Sequence, residues 1–209
     1  MLNRLNPINR AIVTLISGAA LAQLIPLLFT PVLTRLYTPS DFGVLALYIS
    51  LVTILSSIAA GRYEYAIIIP KEENDAVNIF VFSLIILSLF TFVLFLIVFI
   101  FDDLILKPLG TKELDFWINF LPLSVFLTTF FILLTNYNNR QKHYKDIATS
   151  GVYRSSMMVL VQVIMGAKGG SFGLLLGQFV SLLFGNIKLL KNILYTEKFI
   201  IKIELSKIK

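Results

Sequence analysis

The chain has 209 residues, of which 57% are hydrophobic and only 14% charged, with a mean hydropathy of +0.84 and a formal net charge of +6. A soluble domain carries roughly 25% charged residues, so this composition excludes an ordinary water-soluble fold and describes an integral membrane protein. The absence of cysteine removes disulfide frameworks and thiolate metal sites from consideration.

An apolar run of about twenty residues crosses a bilayer core, and the chain contains six such runs. Met1 to Arg10 is a short basic lead, and the first span covers residues 11–37, with Pro26 and Pro31 expected to bend or break it. Ala20-Leu21-Ala22 has the shape of a signal-peptide cleavage site. The apolar run continues well past it, and cleavage there would remove half the span. Residues 37–43 (YTPSDFG) form a turn in which Ser40 or Asp41 is available to cap the next helix. The second span follows at 42–60, and the two are expected to insert together as a hairpin. Residues 61–70 (GRYEYAIIIP) then lead to the surface.

After a charged loop at 71–75, with Asn74 or Asp75 as a cap, the third span covers 76–101. It is so rich in Phe, Leu, Ile and Val that it is expected to face lipid. Residues 102–115, containing Pro108-Leu109-Gly110, read as a loop. The fourth span is 116–137, the fifth 147–166, and the sixth 171–190 beyond a tight turn at 167–170. Residues 191–209 form a basic amphipathic tail or linker. The fold class is therefore an all-α bundle of six transmembrane helices, occupying residues 1–190.

Six spans place both termini on one side of the membrane. That side, with its loops and tail, holds thirteen of the eighteen Lys and Arg residues, and the other side holds Arg35, Lys107, Lys112 and Lys168. The positive-inside rule then makes both termini cytoplasmic. The net positive charge is a signal of topology, which argues against a nucleic-acid partner.

Three patterns in the spans bear on function. In the sixth, Gly173, Gly177, Ser181 and Gly185 recur every four residues, a small face on which another helix backbone can approach closely. In the fifth, Arg154, Met158, Gln162 and Met165 share one helix face. An arginine inside a span is costly and by default faces a bundle interior or a wet cavity, with snorkelling to the headgroups as the alternative. Its planar fork suits an anion such as pyrophosphate. In the first span, Gln23, Thr30 and Thr34 lie on one polar face and Arg35 ends another. Arg62 and Glu64 flank Tyr63 at the end of span two, either as an interfacial pair or as guards of a cavity mouth. His143, the single histidine, reads as a solvated loop residue. No catalytic triad, metal cluster or phosphate-cradling glycine loop is present, so neither an enzyme nor a cofactor is expected.

Two segments carry a resemblance: AQLIPLLFTPVLTRLYTPSDFG (residues 22–43) and GRYEYAIIIP (61–70) followed by a charged loop and Ala76. They resemble the N-terminal signature of bacterial polysaccharide repeat-unit flippases, the O-antigen and capsule branch of the multidrug/oligosaccharidyl-lipid/polysaccharide exporter superfamily. The resemblance implies an inner-membrane carrier that moves undecaprenyl-pyrophosphate-linked oligosaccharide between leaflets by alternating access. It also implies that basic residues of the first helices face a central cavity, which by position points to Arg35, Arg62 and Glu64. Arg154, Gln23, Thr30 and Gln162 join them as cavity residues from their helix faces alone. Relatives have two pseudo-symmetric lobes, so the six spans here correspond to the N-terminal one, with a second six-span lobe or chain as the expected partner beside lipid-linked oligosaccharide and membrane lipids. The competing readings are a drug or organic-cation antiporter of the same superfamily, a membrane enzyme of cell-envelope assembly, and a nonfunctional truncated remnant.

Overall fold

The computed structural model describes residues 7–109 and 112–196. Among them there are helices and turns only, with no strand, and six helices are long and apolar enough to cross a membrane. The spanning helices are α1 (Pro7–Leu36), α2 (Pro39–Ser56), α3 (Glu73–Leu109), α5 (Leu121–Arg140), α6 (Tyr144–Gly166) and α7 (Phe172–Thr196); a four-residue α4 (Asp115–Ile118) precedes α5. Helices dominate because bilayer hydrocarbon offers no hydrogen-bond partners, so each span must satisfy its own backbone. Most of the tail expected at 191–209 lies outside the described residues, and its first turn continues α7 to Thr196.

The two helices of the expected hairpin do not pack along each other. α1 lies along α6, whereas α2 packs against α5 and α7. The first two helices meet near their corner, where Leu33, Tyr37 and Leu174 are buried with Leu36, Phe42 and Leu45 against them. The reason is on α1 itself: its small residues are its packing face. A Cβ at Gly18 would lie 2.3 Å from the Ala148 Cβ, and one at Gly151 would lie 3.6 Å from the Ala22 Cβ. Backbone-to-backbone approach of this kind substitutes for the hydrophobic effect, which is absent between helices in lipid. Pro26 and Pro31 both sit inside α1, which remains a single helix to Leu36.

The corner is closed by a capping box whose cap is Thr38 rather than Ser40. The Asp41 carboxylate accepts from the Thr38 backbone N–H (2.7 Å) and hydroxyl (2.8 Å), while the Asp41 N–H donates to the Thr38 hydroxyl at 3.3 Å. Pro39 occupies the first helical turn, where its missing N–H costs nothing. Thr38→Ala is expected to cost about 1 kcal/mol, read as a fall in melting temperature of the detergent-solubilised protein. Ser40→Ala, at an exposed position, is expected to leave it unchanged.

α3 leaves most of its apolar side chains exposed or partly exposed, the lipid-facing surface expected of it, but it also carries a buried stripe. It is not lipid-facing all round: Ala76, Val77, Phe80, Ser83, Leu87, Leu94 and Val98 are buried, a stripe at three- and four-residue spacing on a helix that packs on α5 and on the 3-10 turn Tyr63–Ile68. Nor does it stop at Phe101. The backbone kinks there (φ −115°, ψ 22°) and helix continues to Leu109, so Pro108 lies within a helix rather than a loop. Its N-terminus lies at Glu73, which places Asn74 and Asp75 inside the first turn and not at the cap. α5 is the most enclosed span, contacting α2, α3, α6 and α7, and forms the axis on which the interior is built.

Candidate functional site

Two stripes read separately from the sequence are the two sides of one seam. The α6 face carrying Arg154, Met158, Gln162 and Met165 lies against the small face of α7. A Cβ on Gly173 would lie 2.8 Å from the Met165 Cβ and 2.2 Å from the Tyr37 hydroxyl. One on Gly177 would lie 2.5 Å from the Gln162 Cγ and 2.8 Å from the Met158 carbonyl oxygen. At Gly185 the nearest atoms belong to the Phe131 ring (3.1 Å) and the Arg154 Cδ (3.5 Å). Ser181 is buried on the same face and donates to the Gln178 carbonyl at 2.6 Å.

Where this seam meets α2 and α5, it opens into an internal pocket of about 130 Å³ lined by Tyr48, Val52, Thr53, Thr128, Arg154, Gln178 and Leu182, with Ile49 completing it. Arg154 stands ten residues after the start of α6, about 15 Å along its axis at 1.5 Å per residue, which is near mid-span. Its guanidinium lies 5.1 Å from the centroid of the Phe131 ring, a favourable placement for a cation. Among the described residues it has no carboxylate partner.

The rest of the lining divides into groups already engaged and groups left open. The Tyr48 hydroxyl is bonded to the Ser124 hydroxyl at 2.7 Å, and Thr53 donates to the Ile49 carbonyl at 2.7 Å. Tyr48 also packs edge-on to Trp117, which sits in an aromatic cluster with Phe116, Phe120, Phe172 and Phe179. The side chains of Thr128, Gln178 and Arg154 have no hydrogen-bond partner among the described residues. The pocket therefore offers a fixed positive charge with neutral polar groups beside it, and no lining carboxylate or imidazole. Such a lining attracts an anionic oxygen and disfavours a cation; it contains no acid–base pair for proton transfer.

The other proposed cavity residues are not gathered here. Arg35 is exposed on the last turn of α1, and Gln23 and Thr30 are exposed on that helix. The Thr30 and Thr34 hydroxyls bond back to the carbonyls of Pro26 and Pro31. Because α1 contacts the bundle mainly through α6, its polar face points away from this pocket. Gln162 is buried in the α6–α7 seam, where its amide donates to the Leu174 carbonyl (3.2 Å) and its own carbonyl accepts from Tyr37 Oη (2.6 Å). Arg62 is exposed in a left-handed conformation (φ 66°), 5.9 Å from the Tyr65 ring centroid. Glu64 is only 1% exposed. The Asn136 amide donates to its backbone carbonyl, and its buried Oε2 is unpartnered.

Tyr48, Thr128 and Gln178 were not singled out from sequence. Uncharged polar residues within spans carry no signal of their own, and only the neighbour on α6 gives them meaning.

Comparison with protein families finds a match over residues 32–209 to the model of a family described as polysaccharide biosynthesis protein. Neither a curated protein nor a solved structure matches the chain.

Proposed function

We propose a carrier function for this chain, which belongs to the polysaccharide biosynthesis protein family: it moves a lipid-linked oligosaccharide across the bacterial inner membrane, both termini cytoplasmic, by alternating access and without covalent chemistry. The single observation that carries the reading is Arg154, an unpaired guanidinium near mid-span beside the free polar groups of Thr128 and Gln178. Retaining a charge in hydrocarbon costs about 2.5–3.5 kcal/mol on insertion scales. An anionic group offsets that cost through charge-assisted hydrogen bonds. The phosphate bridge of an undecaprenyl-pyrophosphate-linked sugar supplies such a group, while a polyprenyl tail and a glycan remain outside a pocket of this size.

A cation antiporter of the same superfamily is less well supported, since its substrate would meet Arg154 with no carboxylate in the lining. A membrane enzyme lacks an acid–base pair at this site. A second lobe or chain is proposed to complete the path.

The test is complementation of a strain lacking its repeat-unit flippase. Expression of the protein, alone or with a second six-span lobe, is expected to restore surface polysaccharide and lower the lipid-linked repeat units held in the inner leaflet. Absence of rescue in both settings, with normal membrane levels, would overturn the proposal, and energy-dependent export of a fluorescent organic cation would favour the antiporter.

A further inference from the structure

Arg140 reads from sequence as one more cation on a basic side. In the structure it is a staple. Its Nη1 donates to the Pro70 carbonyl at 2.5 Å and its Nη2 to the Glu72 carbonyl at 3.0 Å, with the Ile67, Ile68 and Lys71 carbonyls also within reach. Its Nε lies 3.6 Å from Glu73 Oε2. Glu73 Oε1 in turn accepts from the Tyr137 hydroxyl (3.0 Å) and the Gln141 amide (2.5 Å). The end of α5 and the chain entering α3 are thereby fixed to each other.

Between these stapled walls lies a crevice of about 410 Å³, lined in part by Lys71, Asn139, Lys142 and Tyr144 together with Arg140 and Glu73. Glu73, the carboxylate in the lining, is taken up by Arg140. Lys71 and Lys142 form no ion pair among the described residues, and the Asn139 amide and Tyr144 hydroxyl have no partner there. Lys142 holds φ +60°, a left-handed position after a helix end where glycine or asparagine is cheaper.

We propose that this crevice binds a phosphate group, with Lys71 and Lys142 supplying charge and Asn139 and Tyr144 supplying directed hydrogen bonds. Positive-inside bias explains on which side two lysines stand, but not why both line one crevice beside the Arg140 staple. Lysines serve phosphates as point charges, and basic pockets at the ends of transmembrane helices suit anionic headgroups. The phosphate can belong to an anionic membrane lipid or to a soluble phosphate compound, since both present the same oxygens. The site is separate from the Arg154 pocket and does not depend on the carrier reading.

The test uses the full chain in two arms. In the first, the protein is placed in nanodiscs of phosphatidylcholine doped with phosphatidylglycerol, and native mass spectrometry counts the phosphatidylglycerol retained after release into detergent. In the second, inorganic pyrophosphate is titrated calorimetrically into the protein in zwitterionic detergent. Saturable binding in the first arm alone identifies a lipid headgroup, and binding in the second identifies a soluble phosphate compound. In either case Lys71→Gln/Lys142→Gln is expected to weaken binding at least tenfold. Lys168→Gln, at the turn on the opposite end of α6, leaves binding unchanged and serves as the control. No binding in either arm would overturn the site. So would equal binding by the double variant, or a signal lost in Arg154→Gln but kept in the lysine variants. Lys71→Gln alone, at an exposed position in a loop, gives the same reading if the double variant is unstable.

Discussion

Replacing Gly177 with leucine is expected to leave almost no correctly assembled protein, read as the loss of the monodisperse peak on size-exclusion chromatography of the solubilised membrane fraction. The reason is what its first added carbon meets. It would lie 2.5 Å from Gln162 Cγ, a side-chain atom that can turn aside, and 2.8 Å from the Met158 carbonyl oxygen, a backbone atom that cannot. Overpacking of a tight interior costs about 1–3 kcal/mol for modest additions, so alanine alone is expected to lower the melting temperature. Leucine adds three more carbons in the same direction and must push α6 off α7. With α6 would go the Gln162–Leu174 and Tyr37–Gln162 hydrogen bonds. α1 would follow, because α6 is its main attachment to the bundle. Gly43→Ala is the matched control, since nothing lies within 4 Å of a carbon added there. A Gly177→Leu protein with wild-type yield and melting temperature would show that the seam is not closed as described.

The six spans were legible because length and hydropathy are local properties. Each apolar run in the sequence contains a spanning helix, but the ends were less legible. α3 continues to Leu109, eight residues past the expected 101, and the expected span 116–137 is broken at residues 119–120 into α4 and α5. Partner choice was not legible in the same way. Periodicity placed the small face on α7 and the Arg154 face on α6, yet nothing in either stripe says that they close on each other. That pairing depends on the depth at which Gly173, Gly177 and Gly185 meet Met165, Gln162 and Arg154. The same limit explains α1. Its attachment to the bundle rests on Gly18 against Ala148, a contact between residues 130 positions apart. Arg140 was hidden for another reason: its partners are mainly backbone carbonyls of residues 67–72, and carbonyls leave no mark in a sequence.

Neutralising Arg154 is expected to separate stability from transport, and that separation is what makes it decisive. A charge near mid-span costs about 2.5–3.5 kcal/mol on insertion scales. What Arg154 recovers within the protein is a cation–π contact with Phe131, worth about 0.5–2 kcal/mol, and no ion pair among the described residues. Arg154→Gln therefore removes more penalty than interaction, and its melting temperature is expected to equal or exceed that of the wild type. Transport should move the other way. A hydrogen bond to a charged group contributes about 1.5–3 kcal/mol, and each 1.4 kcal/mol is a factor of ten. The apparent affinity for lipid-linked substrate is then expected to fall by about 10- to 100-fold. Arg154→Lys keeps the charge but loses the planar fork and is expected to fall between the two. Both quantities come from one preparation, a thermal melt and a flipping assay in proteoliposomes with a phosphate-bearing polyprenyl substrate. If Arg154→Gln melts well below the wild type, the arginine is a structural strut. If it transports normally, the anion is held elsewhere, and the pocket between α2, α5, α6 and α7 is packing and nothing more.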